Sequence, residues 1–190
     1  MIRRAILCAS LVLAAPLVTA RADAPASTKT AAKPQIQVVE LPAQPIVFRL
    51  VKAPPAKLEE EMRGAFLALV GIASRGGLAL AGSPIARYRE RAATSDATFV
   101  VEAALPVTKL PAKSSGFELG TLPAGPAITL EHRGKLADLP RAHAALDAWL
   151  VANKRRAAGP RWEVFVTNPV TTPDPAAQIV KIVVPLAPAT

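Results

Sequence analysis

Cysteine is almost missing from this chain of 190 residues: Cys8 is the only one, and it lies in an amino-terminal stretch expected to be cleaved away. Without it the mature protein has no thiol for a disulfide, a thiolate nucleophile or an iron–sulfur cluster. Histidine is nearly as scarce. His132 and His143 are the only two, and neither has carboxylates around it at a metal-site spacing, so neither a metal nor a cofactor is expected. Aromatic residues make up 4% of the chain, with Tyr88 the sole tyrosine, which limits how tightly a cage of rings could hold a cation. No Ser-His-Asp pattern, carboxylate pair or phosphate-cradling glycine loop stands out; Gly76-Gly77 reads as a helix stop.

What is present begins with an export signal. Arg3 and Arg4 precede an apolar run, Ala5 to Val18, that is short of the ~18 residues a membrane span needs. Ala22-Asp23-Ala24 then supplies an A-x-A cleavage site, with Val18-Thr19-Ala20 as the second choice. Residues 1–24 are therefore read as a signal peptide, and the mature protein as exported, periplasmic and without a stable membrane span. Cys8 sits inside the apolar run, too near the start for a lipid-modified cysteine. Losing Arg3, Arg4, Arg21 and Asp23 lowers the formal charge only from +9 to +7. Such a balance suits nucleic acid or an acidic surface. The basic residues are dispersed, however, apart from Lys154-Arg155-Arg156, which is expected at the end of a helix. With an export signal in front, a solvated basic face is the better account, and no nucleic-acid partner is expected.

Residues 25–34 are rich in Ala, Ser, Thr, Lys and Pro and read as a flexible tether. Beyond them the pattern predicts strands at 35–41 and 45–52, a helix over 56–75, and strands at 84–90 and 97–107 joined by a polar loop. Glu59, Glu60 and Glu61 are expected in the first turn of that helix, whose inner side carries Leu58, Met62, Ala65, Phe66 and Leu69. The pattern then restarts. Strands are predicted at 117–122 and 127–133, a helix from Asp138, as cap, to about Arg156, and strands at 162–167 and 178–186. Leu139, Ala142, Leu146, Trp149, Leu150 and Asn153 are expected on the inner side of the second helix.

This is an internal repeat. Leu41-Pro42-Ala43 recurs as Leu122-Pro123-Ala124, and Gly82 to Tyr88 parallels Gly159 to Phe165. The implied fold is α+β: two units of strand, strand, helix, strand, strand, about 35–110 and 116–187, with antiparallel sheets and one long helix each. A pseudo-twofold axis between them leaves a groove suited to a small ligand.

The repeat also singles out Glu163. Its counterpart is Ala86, so the fold itself does not demand a carboxylate there. Along the strand Trp162, Val164 and Val166 share one face and Glu163, Phe165 and Thr167 the other. The Trp162 face is assigned to the helix and the Glu163 face to the groove. A carboxylate inside an apolar strand needs water, a partner or a job. Tyr88, the counterpart of Phe165, is expected in the groove from the other module, with Phe165 itself. Phe48 and Trp149 complete the candidate ligand-binding set, each weighed against a core role that strand and helix aromatics usually have. His132, in Glu131-His132-Arg133-Gly134, is better read as a turn residue than as a ligand contact.

Leu122-Pro123-Ala124-Gly125, Glu131-His132-Arg133-Gly134, Ala148-Trp149-Leu150 and Gly159 to Phe165, in this order and spacing, resemble the GyrI-like domain, the effector-binding domain of AraC- and MerR-type activators. Asp174-Pro175 and Val184-Pro185-Leu186 fit as well, so the likeness covers about residues 35–187. The resemblance implies two fused strand-helix-strand-strand (SHS2) modules and a groove for small, often cationic or aromatic, molecules, with a buried glutamate at the position of Glu163. Some members of the family inhibit gyrase, and some hydrolyse cyclopropane-containing compounds. The chain departs from the regulators in having no helix-turn-helix domain, and export puts it away from intracellular targets. Three functions follow. The first is an exported protein that binds a hydrophobic or cationic small molecule, with Glu163 as the polar anchor. The second is a hydrolase with Glu163 as general base. The third is a structural or interaction protein with a vestigial groove.

Overall fold

Strand and helix boundaries fall where the chain supplies a local reason for them. The computed structural model describes residues 35–90, 98–168, 172 and 174–188. The expected signal peptide, the tether, most of the loop joining the third and fourth strands and part of the loop before the last strand lie outside these described residues. The elements are β1 (Ile36–Leu41), β2 (Gln44–Ala53), α1 (Pro55–Arg75), β3 (Ile85–Glu90), β4 (Phe99–Pro106), β5 (Glu118–Leu122), β6 (Gly125–Arg133), α2 (Leu139–Ala152), β7 (Trp162–Phe165) and β8 (Ile179–Pro185).

Pro55 opens α1, where a missing N–H costs nothing. The helix closes on a Schellman turn: Leu78 N–H donates to Ala73 O at 2.9 Å, Gly77 N–H donates to Ser74 O, and Gly77 takes φ +63°. Because the helix starts at Pro55, Glu59 to Glu61 fall in its second turn, beyond the first-turn position expected for them. Two expectations for α2 also change. Asp138 makes no capping hydrogen bond, since its backbone is already helical (φ −91°, ψ −4°) at the end of a short 3-10 turn. The helix stops at Ala152, so Lys154-Arg155-Arg156 lies past its end and Asn153 is exposed. There Lys154 turns the chain at φ +52° and Arg155 donates to Ala187 O.

The strands form one antiparallel sheet of eight, ordered β1-β6-β8-β7-β3-β4-β2-β5, rather than a separate sheet for each module. Replacing every strand by its counterpart in the other module reverses this order onto itself, the arrangement that a pseudo-twofold axis produces. The first strand of each module has crossed to the far half: β1 pairs with β6, and β5 with β2. Leu41 faces Gly125, and three residues on, Gln44 faces Leu122, so the pairing passes both Leu-Pro-Ala segments without a slip. These segments are therefore corners of one long ribbon and not hairpin turns. Proline suits a corner, because it has no N–H to leave unpaired where the ladder breaks. With both corners bent, the sheet curls.

The curled sheet has two apolar faces. On the outer one, α1 packs on β2 and β4 around Met62, Ala65, Leu69, Val101 and Leu105, and α2 packs on β6 and β8 around Leu146, Leu150, Leu130 and Ile182. The inner face gathers Ile46, Phe48, Ile85, Ala104, Leu122, Ala127, Trp162 and Val183. Trp162 thus faces the inside of the curl and no helix, a correction to the face assigned from sequence. Alternation separates two faces but does not say which one a helix covers. Among the described residues no helix is long and apolar enough to cross a membrane.

Trp162 is 3% exposed within that inner cluster, whereas Phe165 is half-buried on the opposite face. Trp162→Ala is expected to lower stability by about 3–5 kcal/mol, as large-to-small aromatic core changes do. Phe165→Ala should cost clearly less. Equilibrium urea denaturation of the two variants checks the ranking.

Candidate functional site

Glu163 sits where the two halves of the sheet meet. β3 and β7 pair antiparallel with Ala86 opposite Glu163, so the duplicated position pairs with its own counterpart. Across the sheet the same row reads Leu130, Ile182, Glu163, Ala86, Ala103, a single carboxylate among apolar neighbours. The row belongs to the outer face, the side on which both helices lie. The helices cover the flanking strands, and β3 and β7 run between them. Glu163 thus lies on the helix-covered face, where the sequence pattern had set the two apart.

The carboxylate is 3% exposed, and both its oxygens are engaged. Tyr88 Oη donates to Oε2 at 3.1 Å, and His143 Nε2 lies 2.7 Å from Oε1. His143, itself buried, comes from α2, four residues after Leu139 and three before Leu146, on the stripe that packs against the sheet. Its Nδ1 lies 3.4 Å from Arg161 Nη1, and Arg161 Nη2 also bonds Asp147 one turn further along α2. A guanidinium has only donors, so Nδ1 must be the accepting nitrogen and Nε2 carries the proton that goes to Glu163. An imidazolium would set an N–H against the arginine N–H. His143 is therefore a neutral donor. The whole group, Glu163, His143, Arg161 and Asp147, then keeps one net negative charge, centred on the most buried member.

Aromatic rings surround it. Phe66 of α1 meets Phe165 edge-on with centroids 5.9 Å apart, and Tyr88 meets Phe99 at 6.2 Å and the His143 ring at 6.5 Å. Phe165 packs against the core clusters beneath both helices. Of the residues singled out from sequence, the fold brings Glu163, Tyr88 and Phe165 together. Phe48 is not among them: it is buried on the inner face, under the Arg89 guanidinium. Trp149 is six residues beyond His143, about 120° away around the helix, and packs half-buried against the α2 cluster. His132 donates to or accepts nothing near Glu163; its Nε2 lies 2.9 Å from Lys135 O, a turn contact at the end of β6. His143, Arg161, Phe66 and Phe99 are additions. The signal for His143 was its place as a polar residue on the apolar stripe of α2.

Two cavities, of about 190 and 230 Å³, lie elsewhere, the first along the Leu-Pro-Ala corners and the second between β2 and α1. Neither reaches Glu163, whose carboxylate is buried. Among the described residues no group of three or more His, Cys, Asp or Glu could hold a metal.

A family model for the GyrI-like small molecule binding domain matches residues 34–187. The chain belongs to the GyrI-like family. No curated protein matches it. Among solved structures, the GyrI-like chain is similar to EcmrR in an EcmrR–DNA complex, with a TM-score of 0.72 and 17% identity over 82% of this chain. It spans 58% of that protein's length. It is similar also to the EcmrR C-terminal domain alone, with a TM-score of 0.67 and 17% identity, covering 82% of this chain and 99% of the domain. A third relative is SAV2435 in a structure bound to tetraphenylphosphonium, with a TM-score of 0.57 and 9% identity over 81% of this chain and 94% of the other. At such identities the likeness shows a common fold.

The tautomer deduced for His143 can be read directly. Long-range nitrogen–proton NMR spectra should show Nε2 protonated and Nδ1 bare. In Arg161→Met, Nε2 should keep its proton, because the Glu163 carboxylate it faces can only accept.

Proposed function

We propose that this GyrI-like protein is exported and binds a hydrophobic cation between α1 and α2, over β3 and β7, with Glu163 as its central anchor. The observation that carries the reading is the buried carboxylate held by two neutral donors. Desolvating an anion is costly, and hydrogen bonds from a phenol and an imidazole stabilise it without cancelling its charge. A cation entering among the rings of Phe66, Tyr88, Phe99 and Phe165 would find that charge together with ring faces. It would also have to displace side chains that cover Glu163, which is 3% exposed. Part of the binding free energy therefore goes into moving side chains, and compact, strongly hydrated cations gain least. Membership of a small-molecule-binding family supports the reading, as does the tetraphenylphosphonium held by SAV2435.

The hydrogen-bonded His143–Glu163 pair also favours a second reading, a hydrolase in which Glu163 accepts a proton from water. Product formation from a bound compound, followed by mass spectrometry and abolished in Glu163→Gln, would select it.

Calorimetric titration with tetraphenylphosphonium tests the first reading. Binding to the mature protein is expected to weaken at least tenfold in Glu163→Gln, a change that keeps the shape and removes the charge. Equal binding by the folded variant would sink the role given to Glu163. Export has its own check: the intact mass of protein recovered from the periplasm should correspond to a chain beginning at Pro25 or, by the second cleavage site, Arg21. A mass that retains residues 1–20 would refute it.

A further inference from the structure

The inner side of the sheet carries a second charged group that the Glu163 site does not use. Glu102 of β4 is fully buried, and two arginines of β3 bond it. Arg87 engages it side-on: Nε donates to Oε2, and Nη2 donates to Oε1 at 2.9 Å. Arg89, about half exposed, also donates to Oε1. Two cations against one anion leave a surplus positive charge. A guanidinium has a second, end-on edge made by Nη1 and the other Nη2 proton, and among the described residues nothing pairs with that edge of Arg87.

Among the described residues, Arg87 is also the only charged one lining the cavity of about 190 Å³ beside the corners. The rest of that wall is apolar or backbone, including Leu41, Pro123, Gly125, Gly159 and Pro185. The arginine side chain is only 15% exposed, so its charge is poorly screened there. We propose that Arg87 and this cavity form a second binding site, specific for a small organic carboxylate with an apolar body. The carboxylate takes the end-on edge as a two-point contact, for which a guanidinium is shaped. Its single charge matches the single surplus charge, whereas a doubly charged phosphate would overshoot it. The cavity is below the roughly 300 Å³ at which drug-sized pockets begin, which limits the body to a ring or a short chain. Successive residues of a strand alternate faces, so Arg87 lies on the opposite side of the sheet from Ala86, Tyr88 and Glu163, and the two sites bind separately.

Sodium benzoate is the probe, with benzamide as the uncharged match. The wild-type protein is expected to show a saturable rise in melting temperature with benzoate and none with benzamide, and the Arg87 guanidinium NMR signals should move along the same titration. Gly159→Leu adds a side chain to the cavity wall, at a position where an added Cβ meets nothing within 4 Å, and leaves the Arg87–Glu102 pair alone. It should raise the benzoate dissociation constant at least tenfold while tetraphenylphosphonium titrates as in wild type. Arg87→Lys keeps a cation beside Glu102 but loses the fork, and should weaken benzoate similarly. The site is refuted if wild type shows no saturable benzoate-specific effect, if Arg87 signals stay still while the melting temperature rises, or if folded Gly159→Leu binds benzoate undiminished. Should Gly159→Leu not fold, the Arg87 signals in the wild-type titration decide alone.

Discussion

A carboxylate placed where two half-sheets join has to be hydrogen-bonded or the seam becomes the weakest part of the molecule. Glu163 meets that constraint by drawing one donor from each side: Tyr88 belongs to the first module and His143 to the second. The two modules are thus tied by more than the short β3–β7 ladder. Arg161 and Asp147 complete the arrangement from the edge of α2, and they reach the carboxylate only through His143. The counterpart position, Ala86, needs none of this. A fold that is close to symmetric in its strand order is therefore sharply asymmetric in its polar chemistry.

Much of the fold was legible in the chain. Period-two alternation and two amphipathic stretches located every strand and both helices, and the repeated Leu-Pro-Ala segments marked two equivalent bends. What those bends do was not legible. Proline after an apolar strand signals a break in the ladder, yet it does not say whether the chain turns back on itself or carries on around a corner. Only the long-range pairing of Leu41 with Gly125 decides that, and pairing partners so far apart leave no local trace. The end of α2 was placed too late because Lys154-Arg155-Arg156 suits a last helical turn electrostatically. The positive φ of Lys154, which ends the helix, costs a non-glycine residue little enough to be absorbed by local contacts.

The site was legible in part for similar reasons. Comparing the two copies isolated Glu163, and strand alternation added Phe165 and, by the repeat, Tyr88. His143 escaped because a histidine on an apolar stripe gives the same pattern whether it bonds a carbonyl, a carboxylate or nothing. Phe48 and Trp162 were hard to place because each lies on a strand buried on both sides, where hydrophobicity carries no direction. The interior of the curl, and with it the Glu102 cluster, could not be anticipated before the sheet was known to be one.

The exchange of first strands has a consequence for the order of events in making the protein. Neither module can finish its half of the sheet from its own residues: the first half waits for β5, and the second depends on β1, synthesised long before it. Contacts so distant along the chain make for slow closure, and leave a nascent chain open until nearly all of it has been released. Under the proposed export, a chain threaded unfolded through a secretion channel would be protected by that delay. The crossing that completes the fold is thus also what postpones it.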